Sequence, residues 1–360
     1  MNNYNVWCKW HPLETVLLGQ PYPVSFFRNI KNDKIRSALT RITEETLEDL
    51  ENYASVLKSY GAEVLRIELD ENDSIVKEDQ HFKNVPRSPL QPRDAQLVIG
   101  NKLFFTNVDH PGIAKRIYDY NKKDLLFLAK SLKKESYTWA PSITVVGRDV
   151  YVDKRGTENL NEDVLSQHVK DLNLRWHWLD VGGHNDGCFH TLKPGALLSL
   201  FNVQNYEETF PGWEVCYLEG ENRNKFENFM NTKEKVRNRW FVEGEENNDE
   251  FIDFVETWLN EWVGFIKESV FDVNVLMLDE RNVCVSNYNQ EAFAFFKKHK
   301  IEPTIVPWRH RYFWDGGLHC ITLDLKRRGE MEDYFPERNN RSISSPSVRG
   351  TNVLMINGKY

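Results

Sequence analysis

Apolar residues recur along the chain in short paired runs joined by tight polar turns. AQLVIG and LFFTN (95–107) flank Asn-Lys, and SITVVG and VYVDK (142–154) flank Arg-Asp. HTLK-PG-ALLSL (190–200) and NVLMLDE-RN-VCVSN (274–287) repeat the arrangement. Two apolar runs across a Gly, Asn or Asp turn predict a β-hairpin, because such turns need residues tolerant of positive φ. A fifth pair can be assembled from PLETVLLG (12–19) near the start and HCITLDL (319–325) near the end. Between these lie runs of helical period: 43–61, opening on Thr43 as cap and ending at Gly61, then 161–172, 248–266 and 289–300. A short strand follows three of them, in AEVLRIE, LRWHWLD and EPTIVPW. The repeating order is hairpin, helix, strand. Closing it by pairing the two ends predicts an α/β ring of about five units, since closure removes exposed strand edges. Residues 221–250 are strongly charged and predict a helix with a loop inserted beside the repeat. The chain turns polar from about Arg327, so 336–360 is expected to be a tail following one domain over 1–335.

Composition narrows the function. The 54 acidic and 46 basic residues give a net charge of −8, which offers no electrostatic reason for a nucleic-acid or membrane partner. The five cysteines include no CxxC pair and no Cys/His cluster of zinc spacing, so no metal is signalled and a reducing compartment is expected. The start of the chain matches neither a secretion signal nor a transit peptide, and no run approaches the ~18 apolar residues of a membrane span. A cytoplasmic protein is expected.

Three segments place reactive groups beside glycines or at strand ends. WDGGLHCIT (314–322) puts Cys320 after Gly316 and Gly317, at a strand start. The plainer reading is that Cys320 is a small core residue, as most free cysteines are. LDVGGHNDGCFHTLKPG (179–195) places His184 and Asp186 between glycines, although a lone His is usually just a satisfied polar group. SPLQPRDAQLVIGN (88–101) puts Asp94 ahead of the first hairpin, where it could equally serve a turn.

Taken together and in order, these blocks resemble the amidinotransferases of the guanidino-modifying superfamily, which also contains arginine and agmatine deiminases. The similarity runs from about residue 7 to 335 and is densest from VNVLMLDERNVCVSN (273–287) through GGLHCITLDLKRRGEMEDYF (316–335). WHPLETVLLG, PRDAQLVIGN and HNDGCFHTLKPGALLS match further blocks. The resemblance implies a five-bladed α/β propeller (the pentein fold) with ββαβ repeats. It implies Cys320 as nucleophile, His184 as proton carrier, and Asp94 and Asp186 as the carboxylates that hold a guanidinium. That chemistry is coherent: a guanidinium is a planar fork of donors that carboxylates clamp bidentately, and a thiolate can attack its carbon. The expected reaction moves the amidino group of a guanidino donor such as arginine to an amine through an amidino-cysteine. A hydrolase or deiminase, or a non-catalytic guanidine-binding relative, are the alternatives. No cofactor is needed, the partners are small molecules, and a homodimer is the assembly suggested by analogy.

Two departures qualify the resemblance. Relatives carry an acid that orients the catalytic His just before the second hairpin, where this chain has Trp139-Ala140-Pro141-Ser142. Asp180 or Asp149 could replace it; altered chemistry and a degenerate site are the other two readings. Val203, Lys267 and Glu268 stand where relatives have an Arg and paired serines for amino-acid substrates. This argues against glycine as acceptor, and Glu268 hints at a more basic, polyamine-like ligand.

Overall fold

Among the described residues the paired apolar runs fold into five three-stranded sheets built on one plan. The computed structural model describes residues 4–67, 69, 87–106, 126–127, 138–200, 205–218, 233–237, 239–264 and 272–344. The strands are β1 (Leu13–Leu18), β2 (Glu63–Arg66), β3 (Gln96–Ile99), β4 (Lys102–Phe105), β5 (Leu126–Phe127), β6 (Ile143–Val146), β7 (Asp149–Asp153) and β8 (Arg175–Leu179). They continue with β9 (Phe189–Lys193), β10 (Ala196–Leu200), β11 (Glu214–Leu218), β12 (Leu276–Met277), β13 (Asn282–Val285), β14 (Glu302–Ile305) and β15 (Thr322–Arg327). Each sheet has a middle strand antiparallel to one neighbour and parallel to the other: β3-β4-β5, β6-β7-β8, β9-β10-β11, β12-β13-β14 and β15-β1-β2. The last joins the two ends of the chain, with Leu18 opposite Thr322 and Val16 opposite Asp324. The strands at 126–127 and 214–218, which complete two of the sheets, belong to none of the paired apolar runs.

Four helices of more than two turns lie among the described residues: α1 (Asp33–Ser59), α2 (Glu162–Asp171), α3 (Asp249–Trp258) and α4 (Gln290–Lys298). Asn161, Asn248 and Asn289 cap the last three by accepting a backbone N–H. α1 begins ten residues before the expected Thr43, because the Asn32 side chain accepts from the N–H of both Lys34 and Ile35. The apolar stripe Ile35, Leu39, Ile42 then extends the buried face, and Thr43 is an interior helix position rather than a cap. α3 stops at Trp258, short of the expected 266; the run 259–264 is turn and coil. Within 221–250, where a helix is expected, 233–237 and 239–248 are turn and coil and α3 starts only at Asp249; residues 221–232 and 238 lie outside the described residues, as do Val203, Lys267, Glu268 and 345–360.

α1 matters for function because it backs the segment that carries Cys320. Its buried face packs against Trp240, Phe251, Phe313 and Trp314 in one hydrophobic cluster. Trp314 Nε1 donates to Thr46 Oγ1 at 2.8 Å, and Tyr53 OH reaches the Leu318 carbonyl at 3.4 Å. The start of the C-terminal segment is also tied down. Arg338 is buried and donates to Asp149, to Tyr151 OH and to the Thr209 carbonyl. Among the described residues no helix is long and apolar enough to cross a membrane.

Candidate active site

Cys320 lies in a turn two residues before β15, rather than at the strand start. Its surroundings are fixed by a neighbour from the segment leading into β12. Asn274 Oδ1 accepts the backbone N–H of His319 (3.1 Å) and of Cys320 (3.0 Å). Its Nδ2 donates to the Asp186 carbonyl (3.2 Å) and to Cys320 Sγ (3.1 Å). One amide therefore ties the cysteine turn to the His184–Asp186 loop. Gly317 makes this possible, since a Cβ there would lie 2.7 Å from Asn274 side-chain atoms. From the other side, Arg93 Nε donates to the carbonyls of His319 (2.8 Å) and Thr322 (2.9 Å), and Nη2 to Asp324 Oδ1 (2.7 Å). In the Pro-Arg-Asp block the arginine thus braces the cysteine turn, while the aspartate lies within electrostatic reach of the Cys320 thiol.

The structure brings Cys320, Asp186 and Asp94 together. Cys320 Sγ is 3.7 Å from Asp186 Oδ2, and both Asp186 and Asp94 act on the thiol electrostatically. Burial first, then those two carboxylates, push the thiol titration well above its ordinary value; the Asn274 amide and the Gly317 backbone oppose this. Asp186 Oδ2 also takes a 2.7 Å hydrogen bond from His319 Nδ1. Its Oδ1 is buried with no hydrogen-bond partner among the described residues. An orphaned carboxylate oxygen in a closed site is costly unless a donor arrives to fill it.

His184 immediately precedes the single helical turn Asn185–Cys188 without capping it through its side chain, is half-buried, and lies within electrostatic reach of Asp186. Burial pulls its titration below the ordinary histidine range; Asp186, Asp315 and Asp153 oppose this, and Arg87 adds to it. Neither of the two carboxylates expected to orient it does so. Asp180 pairs with Arg155 at 2.7 Å. Asp149 is enclosed by Arg175, His177 and Arg338 in a network of its own. Trp139 lies against the His184 ring instead, at a centroid separation of 5.4 Å. Asn274, His319 and Arg93 were all present in the quoted blocks, yet none was singled out; Asn274 stands one residue into the densest block of resemblance, which is the signal that could have found it.

No profile of a known protein family matches the chain. Individual proteins do. An L-arginine:L-lysine amidinotransferase of Pseudomonas savastanoi pv. phaseolicola is 23% identical, with 80% of each chain covered. A mitochondrial glycine amidinotransferase of Gallus gallus is 40% identical, with 91% of this chain and 83% of that protein covered. Among solved structures, the amidinotransferase SxtG of Microseira wollei superposes with a TM-score of 0.63 at 18% identity, covering 92% of this chain and all of that one, which speaks for the fold. With the α/β sheets and the ordered blocks, these likenesses place the chain in the amidinotransferase family of the pentein superfamily, as an enzyme of that family.

Proposed function

We propose that this enzyme takes the amidino group from arginine and hands it to an amine through a covalent amidino-Cys320 intermediate. On this reading the five sheets are five blades of a propeller, and residues 1–335 act as one catalytic unit followed by the 336–360 tail. The observation that carries the proposal is the buried, unfilled Oδ1 of Asp186, on a carboxylate that touches a thiol and has Asp94 nearby. Two carboxylates there suit a planar cation and would repel an anion.

The steps follow from the charges. Without substrate, burial and the two carboxylates hold Cys320 as a thiol. A bound guanidinium offsets that negative field and favours the thiolate, whose proton passes to His184. Sulfur then attacks the guanidinium carbon. The C–N bond to the side chain of the donor breaks, and His184 returns the proton to the departing amine of ornithine. An acceptor amine enters, His184 takes its proton, nitrogen attacks the amidino carbon, and the C–S bond breaks to restore the thiol. Arg87 supports arginine as donor: its Nη2 is held by the Trp314 carbonyl at 2.8 Å, and it acts on His184, so it can meet a donor carboxylate near the site.

The test is arginine with and without candidate amines. The relative named for arginine and lysine makes lysine the first acceptor to try. Ornithine limited to one per enzyme without an amine, and formed repeatedly only when one is present, supports transfer. Urea or ammonia formed without one would mean hydrolysis, and arginine binding without turnover would mean a non-catalytic relative.

A further inference from the structure

Behind Asp186 lies a line of buried polar groups that the proposed chemistry does not use. Lys9, in the turn before β1, is nine-tenths buried, and its Nζ is 3.5 Å from His190 Nδ1. The His190 ring stands edge-on to the His319 ring, with centroids 4.9 Å apart at 88°. His319 Nδ1 donates to Asp186 Oδ2 at 2.7 Å, and Asp186 reaches Cys320. Lys9, Arg93, Asp186, His319 and Asp324 also line one cavity. An ammonium is only a donor, so His190 must accept at Nδ1 and carry its proton on Nε2. The thiol is thus linked through three side chains, Asp186, His319 and His190, to a buried cation from the other end of the sequence.

We infer that Lys9 is a positioning residue: its ammonium, set behind His190, acts with Arg93 to keep His319 an uncharged donor, so that Asp186 stays free of an ion pair and available to the guanidinium of the donor. This rests on the reading of Asp186 as a guanidinium ligand. A charged His319 would form an ion pair with Asp186 and compete with the substrate for the same carboxylate. The groups facing His319 are Lys9, His190, Arg93 and Arg327, with Asp186 in contact and Asp324 across Arg93. Burial, then Arg93, Lys9 and His190, hold His319 well below the ordinary histidine range. Lys9 itself is lowered to about 8 by burial, partly offset by Asp186, so it is charged wherever an ordinary histidine would protonate. Arg93 binds Asp324 and the His319 carbonyl, and Arg327 binds Asp324 and the carbonyls of His11 and Met277, which leaves Lys9 as the cation whose removal disturbs least.

The sign is fixed. Removing the Lys9 charge raises the His319 titration, so Lys9→Met should weaken donor use as pH falls and spare it at high pH. For the full-length enzyme we expect kcat/KM for arginine to drop about 10-fold at pH 6 and to lie within about 3-fold of wild type at pH 9. The loss should fall on KM more than on kcat, and Lys9→Arg should restore the wild-type profile. Histidine-ring NMR, with the His319 signal assigned by its loss in His319→Gln, gives a readout independent of turnover. The His319 ring should titrate at a higher pH in Lys9→Met than in wild type. An unchanged His319 titration in Lys9→Met, or activity lowered by one factor at every pH, overturns the inference. A wild-type enzyme that fails to turn over arginine would instead count against the proposed reaction, and the NMR arm would still decide the role of Lys9.

Discussion

Replacing Asn274 by Asp isolates the amide that holds Cys320. The two side chains have nearly the same shape, so Oδ1 can still accept from the N–H groups of His319 and Cys320. What changes is Nδ2, which donates to Cys320 Sγ at 3.1 Å and to the Asp186 carbonyl at 3.2 Å. An aspartate oxygen there donates nothing and adds a third carboxylate to a thiol already opposed by Asp186 and Asp94. A hydrogen bond to a charged group contributes roughly 1.5–3 kcal/mol. At about 1.4 kcal/mol per pKa unit, the thiol should titrate about 1–2 units higher, and at fixed pH the thiolate population should fall about 10–100-fold. Iodoacetamide labelling of the Cys320 peptide, followed across pH by mass spectrometry, measures that population directly. Cys8 and Cys284, buried and pushed up to about 12, serve as slow internal references. A thermal melt run alongside shows whether the fold survives. An unchanged labelling rate at Cys320 in a folded variant would refute the reasoning, because the amide would then have no hold on the sulfur.

Three further outcomes follow from the same geometry. Trp139→Asp sets a carboxylate against His184, whose titration burial now keeps below the ordinary range. If neutral His184 is the base, activity is lost as pH falls through that lowered value, and the new charge should move the loss up by about 1 unit in a kcat–pH profile. Arg87→Ala should raise KM for arginine about 10-fold while leaving KM for agmatine, which lacks the carboxylate, nearly unchanged. Arg338→Met removes one partner of the buried Asp149 and of Tyr151 OH. It should cost about 3 kcal/mol in urea unfolding without touching the proposed site.

The hairpins were legible because each joins neighbours in sequence, and a turn residue between apolar runs is local information. The pairing of β1 with β15 was legible only through the incomplete repeat at the two ends. The start of α1 was misread because Thr43 followed by two glutamates imitates a cap, while the true cap, Asn32, precedes a stripe (Ile35, Leu39, Ile42) that needed reading as one helix. β5 and β11 escaped because neither lies next to its partner hairpin in an apolar run of clear period. In the proposed site, Cys320, Asp186 and Asp94 could be named in advance because each sits in a distinctive block; Cys320 Sγ lies 3.7 Å from Asp186 and within electrostatic reach of Asp94. His319, Lys9 and His190 could not, because their importance lies in contacts across many residues of chain. Trp139 shows the converse: the sequence revealed a missing acid, but only coordinates put an aromatic ring against His184.

The most direct test of the account is mass spectrometry of the full-length enzyme, quenched during turnover of arginine in the absence of an acceptor amine. The account predicts an amidino adduct on the peptide containing Cys320, with one ornithine released for each adduct formed, and its disappearance when an accepted amine is added. Ornithine formed while Cys320 remains unmodified, or an adduct carried by another cysteine, would contradict it.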